Sequence, residues 1–208
     1  MKRKGRIAIF IAILMVFSIA IVGARTTTKG QYEFSEMGKG IRDSVSNLIL
    51  SEQSEDNRSS EYYMGEVEGE KISKLYFEVR YASYRSSPLN YENPKDEAWN
   101  SIIQEYWEKH FAKENGISVS EKEIDEYITY VKDGYHETKE GELLIEALVK
   151  GMGMSENEYW EYNKQYQAPL ALLHEKIEKY LSESKTERPD TKDIQSRILD
   201  QQYYDSLS

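Results

Sequence analysis

Three histidines, His110, His136 and His174, are the residue types most apt for metal or proton chemistry, and they lie scattered, with no second ligand at zinc spacing. The chain holds no HExxH and no Asp-rich calcium loop. Its glycines mark turns and helix ends rather than a phosphate cradle, and no serine sits in a GxSxG elbow with a recognisable base. Carboxylates are too numerous for any pair to stand out. With no cysteine, disulfides, thiolate metal sites, a cysteine nucleophile and a cysteine-anchored lipoprotein route are all excluded. The expectation is a chain with no catalytic residue, no metal and no cofactor.

The chemistry that the side chains do favour is non-covalent. The sequence has 17 tyrosines, three tryptophans and five phenylalanines on an acidic background. Tyrosine brings a large apolar area with a polar handle at low entropic cost, which suits a surface that holds varied peptides. So many rings exceed what a small helical core encloses, so part of the set is expected near the surface. Tyr76, Tyr81, Tyr106, Trp107, Tyr127, Tyr159, Trp160 and Tyr166 are the candidate peptide-binding residues.

Net charge is −10 over 208 residues, and Lys2, Arg3, Lys4 and Arg6 supply +4, so the chain after Ala24 carries −14. Nucleic acid is therefore not an expected partner, because phosphate binding draws on a basic face. Those four basic residues precede an apolar run from Ile7 to Val22 that closes with Gly23 and Ala24. A basic start, an apolar middle and small residues at the end make a signal-anchor or a signal peptide. At ~1.5 Å per residue, residues 7–24 give about 27 Å of helix, close to the thickness of a bilayer core. The expected topology is a cytoplasmic tail over 1–6, a single membrane span over 7–24 and everything beyond outside the cytoplasm. Cleavage after Ala24, giving a secreted protein, is the alternative.

Residues 25–61 read as a polar linker, with a short amphipathic helix through Ile41, Val45, Leu48 and Ile49. The domain is expected over 62–208, as all-α with one extended piece around Met64 to Ile72. Ser73 caps a helix whose Leu75, Tyr76, Val79 and Ala82 share a face. Asn93 and Pro94 open the next, whose stripe is Trp99, Ile102, Ile103, Tyr106, Trp107 and Phe111. Two helix starts then share one punctuation: Gly116-Ile-Ser-Val-Ser-Glu-Lys-Glu-Ile124 and Gly151-Met-Gly-Met-Ser-Glu-Asn-Glu-Tyr159. Each joins a helix-ending glycine to a Ser-x-x-Glu capping box with a flanking hydrophobic staple. Between them lies a helix through Leu143, Leu144, Ala147 and Leu148. The second box opens a long helix with one stripe from Tyr159 to Leu181, kinked near 165–169 by Pro169. Ile194, Ile198, Leu199 and Tyr203 predict a last amphipathic helix.

Val67-Glu-Gly-Glu-Lys-Ile-Ser73, the helix Ala98 to Trp107, the Gly116 to Ile124 motif and Gly153-Met-Ser-Glu-Asn-Glu-Tyr-Trp160 resemble, in order and spacing, the N-terminal chaperone module of SurA/PrsA-type foldases. The resemblance covers roughly residues 62 to 182. It implies an irregular multi-helix fold outside the cytoplasm that binds unfolded or extended segments of exported proteins. Such foldases usually carry a parvulin-type prolyl isomerase domain next, and only about two dozen residues follow Leu181, against the ~90 or more that a small domain needs. The expected role is binding without catalysis. An interaction protein docking one dedicated envelope partner is the second reading, and a prolyl isomerase the third.

Overall fold

A computed structural model of the protein describes residues 28–53, 63–87 and 89–207, with side chains of the first stretch described from 30 to 43. The apolar run at 7–24 lies outside the described residues. Among the described residues, no helix is long and apolar enough to cross a membrane.

The chain is mostly helical with a small sheet. Helix α1 (Thr28–Gln53) buries Phe34, Met37 and Ile41, which stand at three-, four- and seven-residue steps and so share one face. That face meets α5 (Lys139–Met152), which presents Leu144, Ile145, Leu148 and Met152. The contact reaches the backbone: a Cβ on Gly38 would lie 2.6 Å from the Leu148 carbonyl oxygen, and one on Gly151 would lie 2.3 Å from that of Ser35. Part of the segment expected to be a polar linker is thus a packed core helix. Its apolar residues are too sparse to hold a helix alone, and tertiary burial supplies the stability that local sequence lacks.

Strands β1 (Tyr63–Val67) and β2 (Glu70–Ser73) form an antiparallel hairpin whose turn, Glu68 and Gly69, has positive φ at both residues. A third strand, β3 (Ser196–Ile198), pairs antiparallel with the other edge of β1, giving the order β2-β1-β3. The expected helical class holds in the main, and the extended piece around Met64 to Ile72 is the β1–β2 hairpin. The sheet it forms with β3 corrects the strict all-α reading and the final amphipathic helix through Ile194 and Ile198. Ile194 is buried beside the sheet at the end of a short 3₁₀ turn, Ile198 lies in β3, and only α8 (Gln201–Ser206) is helical. Backbone pairing to β1, more than one hundred residues earlier, decides the conformation there.

Helix α2 (Lys74–Arg85) starts as expected at Ser73, whose hydroxyl accepts from the Tyr76 N–H at 3.1 Å. Helix α3 (Pro94–Glu114) starts at Pro94. Their facing sides and the sheet enclose a second core of Met64, Ile72, Phe77, Tyr81, Trp99 and Ile102. Helices α4 (Glu121–His136) and α6 (Glu156–Tyr162) both begin with complete capping boxes, at Ser120 with Glu123 and at Ser155 with Glu158. Gly153 ends α5 at φ 71°, in the left-handed region. After α6 the backbone widens into a π turn (Asn163–Gln167), closed by the Ala168 N–H donating to the Asn163 carbonyl, and continues as α7 (Ala168–Ser184). The helix stays continuous past Pro169, as the sequence predicts, but it does not carry one stripe. Tyr159, Trp160 and Tyr162 join the α1–α5 core, whereas Ile177 and Leu181 pack on Ala112 of α3.

These joints set three stability outcomes. Gly151→Ala is expected to lower the unfolding free energy by about 1–3 kcal/mol, because the new methyl meets backbone that cannot rotate away. Gly134→Ala on α4, where a Cβ would meet nothing within 4 Å, should instead raise it by up to ~1 kcal/mol. Denaturant midpoints check both, and equal signs would remove the close α1–α5 crossing. Replacing Ser120 and Ser155 together by alanine should cost roughly 1–3 kcal/mol, since each caps a separate helix start. An unchanged midpoint would show that the caps carry no stability.

Candidate functional site

The eight candidate aromatics do not gather on one surface. Tyr81 and Tyr159 are each 1% exposed and Trp160 5%, so all three are core residues with no face for a peptide. Their aromatic area, which marked them as candidates, is spent inside the two cores. Trp160 also donates its Nε1–H to Glu156 at 2.7 Å.

Tyr76 and Tyr106 meet edge to face at 6.5 Å between α2 and α3. The Tyr76 hydroxyl lies 2.6 Å from both oxygens of Glu105, and burial raises its pKa well above the ordinary tyrosine value. Glu105 also accepts from Arg80 at 2.5 Å and from Lys109 at 2.6 Å. Burial pushes Tyr106 up to about 12, with the Glu105 charge adding to it. The Lys109 ammonium stands over the Tyr106 ring, 4.7 Å from its centroid. Trp107 stacks on Phe111 at 5.0 Å and is covered by the Arg188 guanidinium at 4.9 Å. These rings are engaged in holding helices together.

Tyr127 and Tyr166 are half-buried like Tyr76, Tyr106 and Trp107, but they lie around α4. This helix is the least covered in the fold's second half. Its apolar residues Ile124, Tyr127, Ile128 and Val131 are all only half-buried, and Tyr135 alone is buried. Between the start of α4 and the α6–π–α7 segment lies an open hollow of about 750 Å³, with Ile124, Tyr162, Tyr166 and Pro169 among its lining. Tyr162 and Tyr166 are in ring contact at 4.8 Å. Carboxylates of Glu121, Asp125, Glu158 and Glu161 surround it, and its cation, Lys164, is paired with Asp125. A second hollow of about 620 Å³ lies at the other end of α4, lined by Tyr130, Val131, Gly141 and Leu144 with Asp133, Glu137 and Glu140.

Of the first hollow's apolar lining, only Tyr166 is among the sequence candidates. Ile124 has the spacing of a core residue, and Tyr162 falls off the expected stripe. The signal for Tyr162 was Pro169 inside a helical pattern, since a local widening there changes which residues share a face.

Each histidine is paired with a carboxylate: His110 with Glu70 at 3.2 Å, His136 with Glu156 at 2.8 Å, His174 with Glu108 at 2.7 Å. Among the described residues, no group of three His, Cys, Asp or Glu side chains is placed to hold a metal ion. His174 belongs to a clasp in which Arg188 reaches Glu108 at 2.8 Å and Glu178 at 2.5 Å. The clasp fixes the returning C-terminal segment on α3 and α7.

No protein-family model, no curated protein and no solved structure matches this chain. The resemblance to the SurA/PrsA chaperone module rests on its motifs alone.

The hydrogen bond with Glu108 is the largest cause of a raised His174 pKa, above the ordinary 6.5, against opposing desolvation and the Arg188 charge. A raised folded-state value means that this contact stabilises fully below the unfolded pKa and is lost as pH rises through the folded one. The stability difference between the protein and His174→Ala should therefore be larger at about pH 5.5 than at about pH 8.5. A difference independent of pH, or an imidazole titrating at or below the ordinary value by NMR, would contradict the charged clasp.

Proposed function

We propose that this protein is a non-catalytic, chaperone-like module, tethered to the membrane through residues 7–24 and exposed outside the cytoplasm, that holds unfolded or extended segments of exported polypeptides. The observation that carries the binding role is the incompletely covered apolar face of α4, opening on a hollow lined by Ile124, Tyr162, Tyr166 and Pro169. An aliphatic side chain, the half-buried Tyr166 and a proline ring offer apolar contact with little rotamer entropy to lose. The volume lies within the range of side-chain and ligand pockets. The open mouth suits a chain that passes through rather than a molecule that is enclosed. Export is supported by the basic flank and apolar run at the N-terminus.

The test uses the full chain in mild detergent, with aggregation suppression of several unrelated denatured proteins and binding of a fluorescent unfolded polypeptide. Tyr166→Ala should weaken binding by about 1–2 kcal/mol while circular dichroism stays unchanged. Undiminished binding by the folded variant would remove the hollow from the site. Suppression of no denatured protein, together with one tight partner in cross-linking, would make a dedicated docking role the better reading. Acceleration of a proline-limited refolding step at catalytic concentrations would overturn the non-catalytic assignment.

A further inference from the structure

The hollow beside α4 is apolar inside and anionic around, and the lysine in its lining is already engaged. Lys164 pairs with Asp125, and the charges of Glu161 and Glu121 also favour its ammonium, so that its pKa stands above the ordinary lysine value. Glu121 and Glu161 themselves make no salt bridge among the described residues. Glu158 keeps its carboxylate on the Ser155 N–H and hydroxyl, both at 2.8 Å, which leaves its charge in place while its geometry is fixed. The site therefore shows, with a residue of its own, which kind of group its field accepts: an alkylammonium paired with a carboxylate at the rim.

The geometry points to a client class: this hollow selects extended segments in which an aromatic or aliphatic residue is flanked by lysine or arginine. The inference rests on the peptide-binding reading of the same hollow and adds its specificity. The apolar residue would pack against Ile124, Tyr166 and Pro169, and the flanking cation would meet Glu121 or Glu161, which make no salt bridge among the described residues. Complementary charge at a solvent-exposed rim speeds encounter and fixes register, and it weakens as salt screens it. Segments flanked by glutamate would meet the same carboxylates as repulsion.

Three fluorescent peptides of equal length test this, each with the same central Phe and Leu residues and flanked by Lys, Gln or Glu, titrated into the full chain in mild detergent. The Lys-flanked peptide is expected to bind about three- to tenfold more tightly than the Gln-flanked one at low salt, and the Glu-flanked one more weakly than either. Glu121→Gln combined with Glu161→Gln should abolish the Lys advantage, bringing the Lys- and Gln-flanked affinities together, while the fold seen by circular dichroism is retained, since both side chains lie on the surface. Equal affinity for Lys- and Gln-flanked peptides, with sensitivity to Tyr166→Ala retained, would overturn the charge selection and keep the binding site. A Lys advantage that survives the double substitution would move the selection elsewhere on this acidic protein and overturn its assignment to the hollow. Failure of all three peptides to bind would overturn the peptide-binding reading itself.

Discussion

The backbones of α1 and α5 touch at Gly38 and Gly151, and the arrangement of the first core depends on that approach. A Cβ at either position would fall within van der Waals distance of a main-chain oxygen, 2.6 Å or less away. Only helices that come this close allow Phe34, Met37 and Ile41 to interdigitate with Leu144, Ile145 and Leu148 at the density of a protein interior. With α5 fixed on one side by α1, its remaining apolar surface receives Tyr159, Trp160 and Tyr162 from the next helix. The position of α6, and so one wall of the hollow, is inherited from a glycine contact on the far side of the core.

The second core depends on a buried ion pair. Arg80 and Glu105 are about 5–6% exposed, and Tyr76, Ser101 and Lys109 occupy their remaining hydrogen-bonding capacity. A buried pair costs desolvation on both sides, so its worth lies less in stability than in specifying how α2 sits on α3. That register places Trp99, Ile102 and Ile103 against the sheet. The same helix sends Glu108 outward to His174 and Arg188, linking this core to α7.

The joints of the fold are legible in the sequence because they are local. Ser73, Ser120 and Ser155 each cap through a residue three positions away, and Pro94 needs only its own ring. The helical start at Thr138, whose hydroxyl accepts from the Gly141 N–H, is equally local but escapes notice, because a threonine without a glutamate three residues on is a weaker mark. The features that the sequence hides are decided at a distance. Helix α1 is held by residues a hundred positions later, and β3 by a strand more than a hundred positions earlier. Among the candidate aromatics, periodicity identifies rings that face inward as a group. It does not separate Tyr81 and Tyr159, which are enclosed, from Tyr127 and Tyr166, which are not, because coverage depends on which neighbours arrive.

The hollow shows how one local irregularity redistributes an otherwise regular pattern. Tyr159 and Ile177 stand about five α-helical turns apart, so an unbroken helix would point both the same way. Pro169 offers no N–H for the carbonyl of Gln165 and its ring crowds the preceding turn. The π turn over Asn163–Gln167 relieves that crowding by closing with a bond to the fifth residue back. Each residue added to a helix rotates the remainder of that helix by ~100°. The first half of the segment therefore serves the α1–α5 core, the second half serves α3, and Tyr162 and Tyr166 are left beside α4 at the changeover. Because α6 and α7 are committed to different partners, they cover the apolar face of α4 only in part, and Ile124, Tyr127, Ile128 and Val131 stay half-buried beside the hollow.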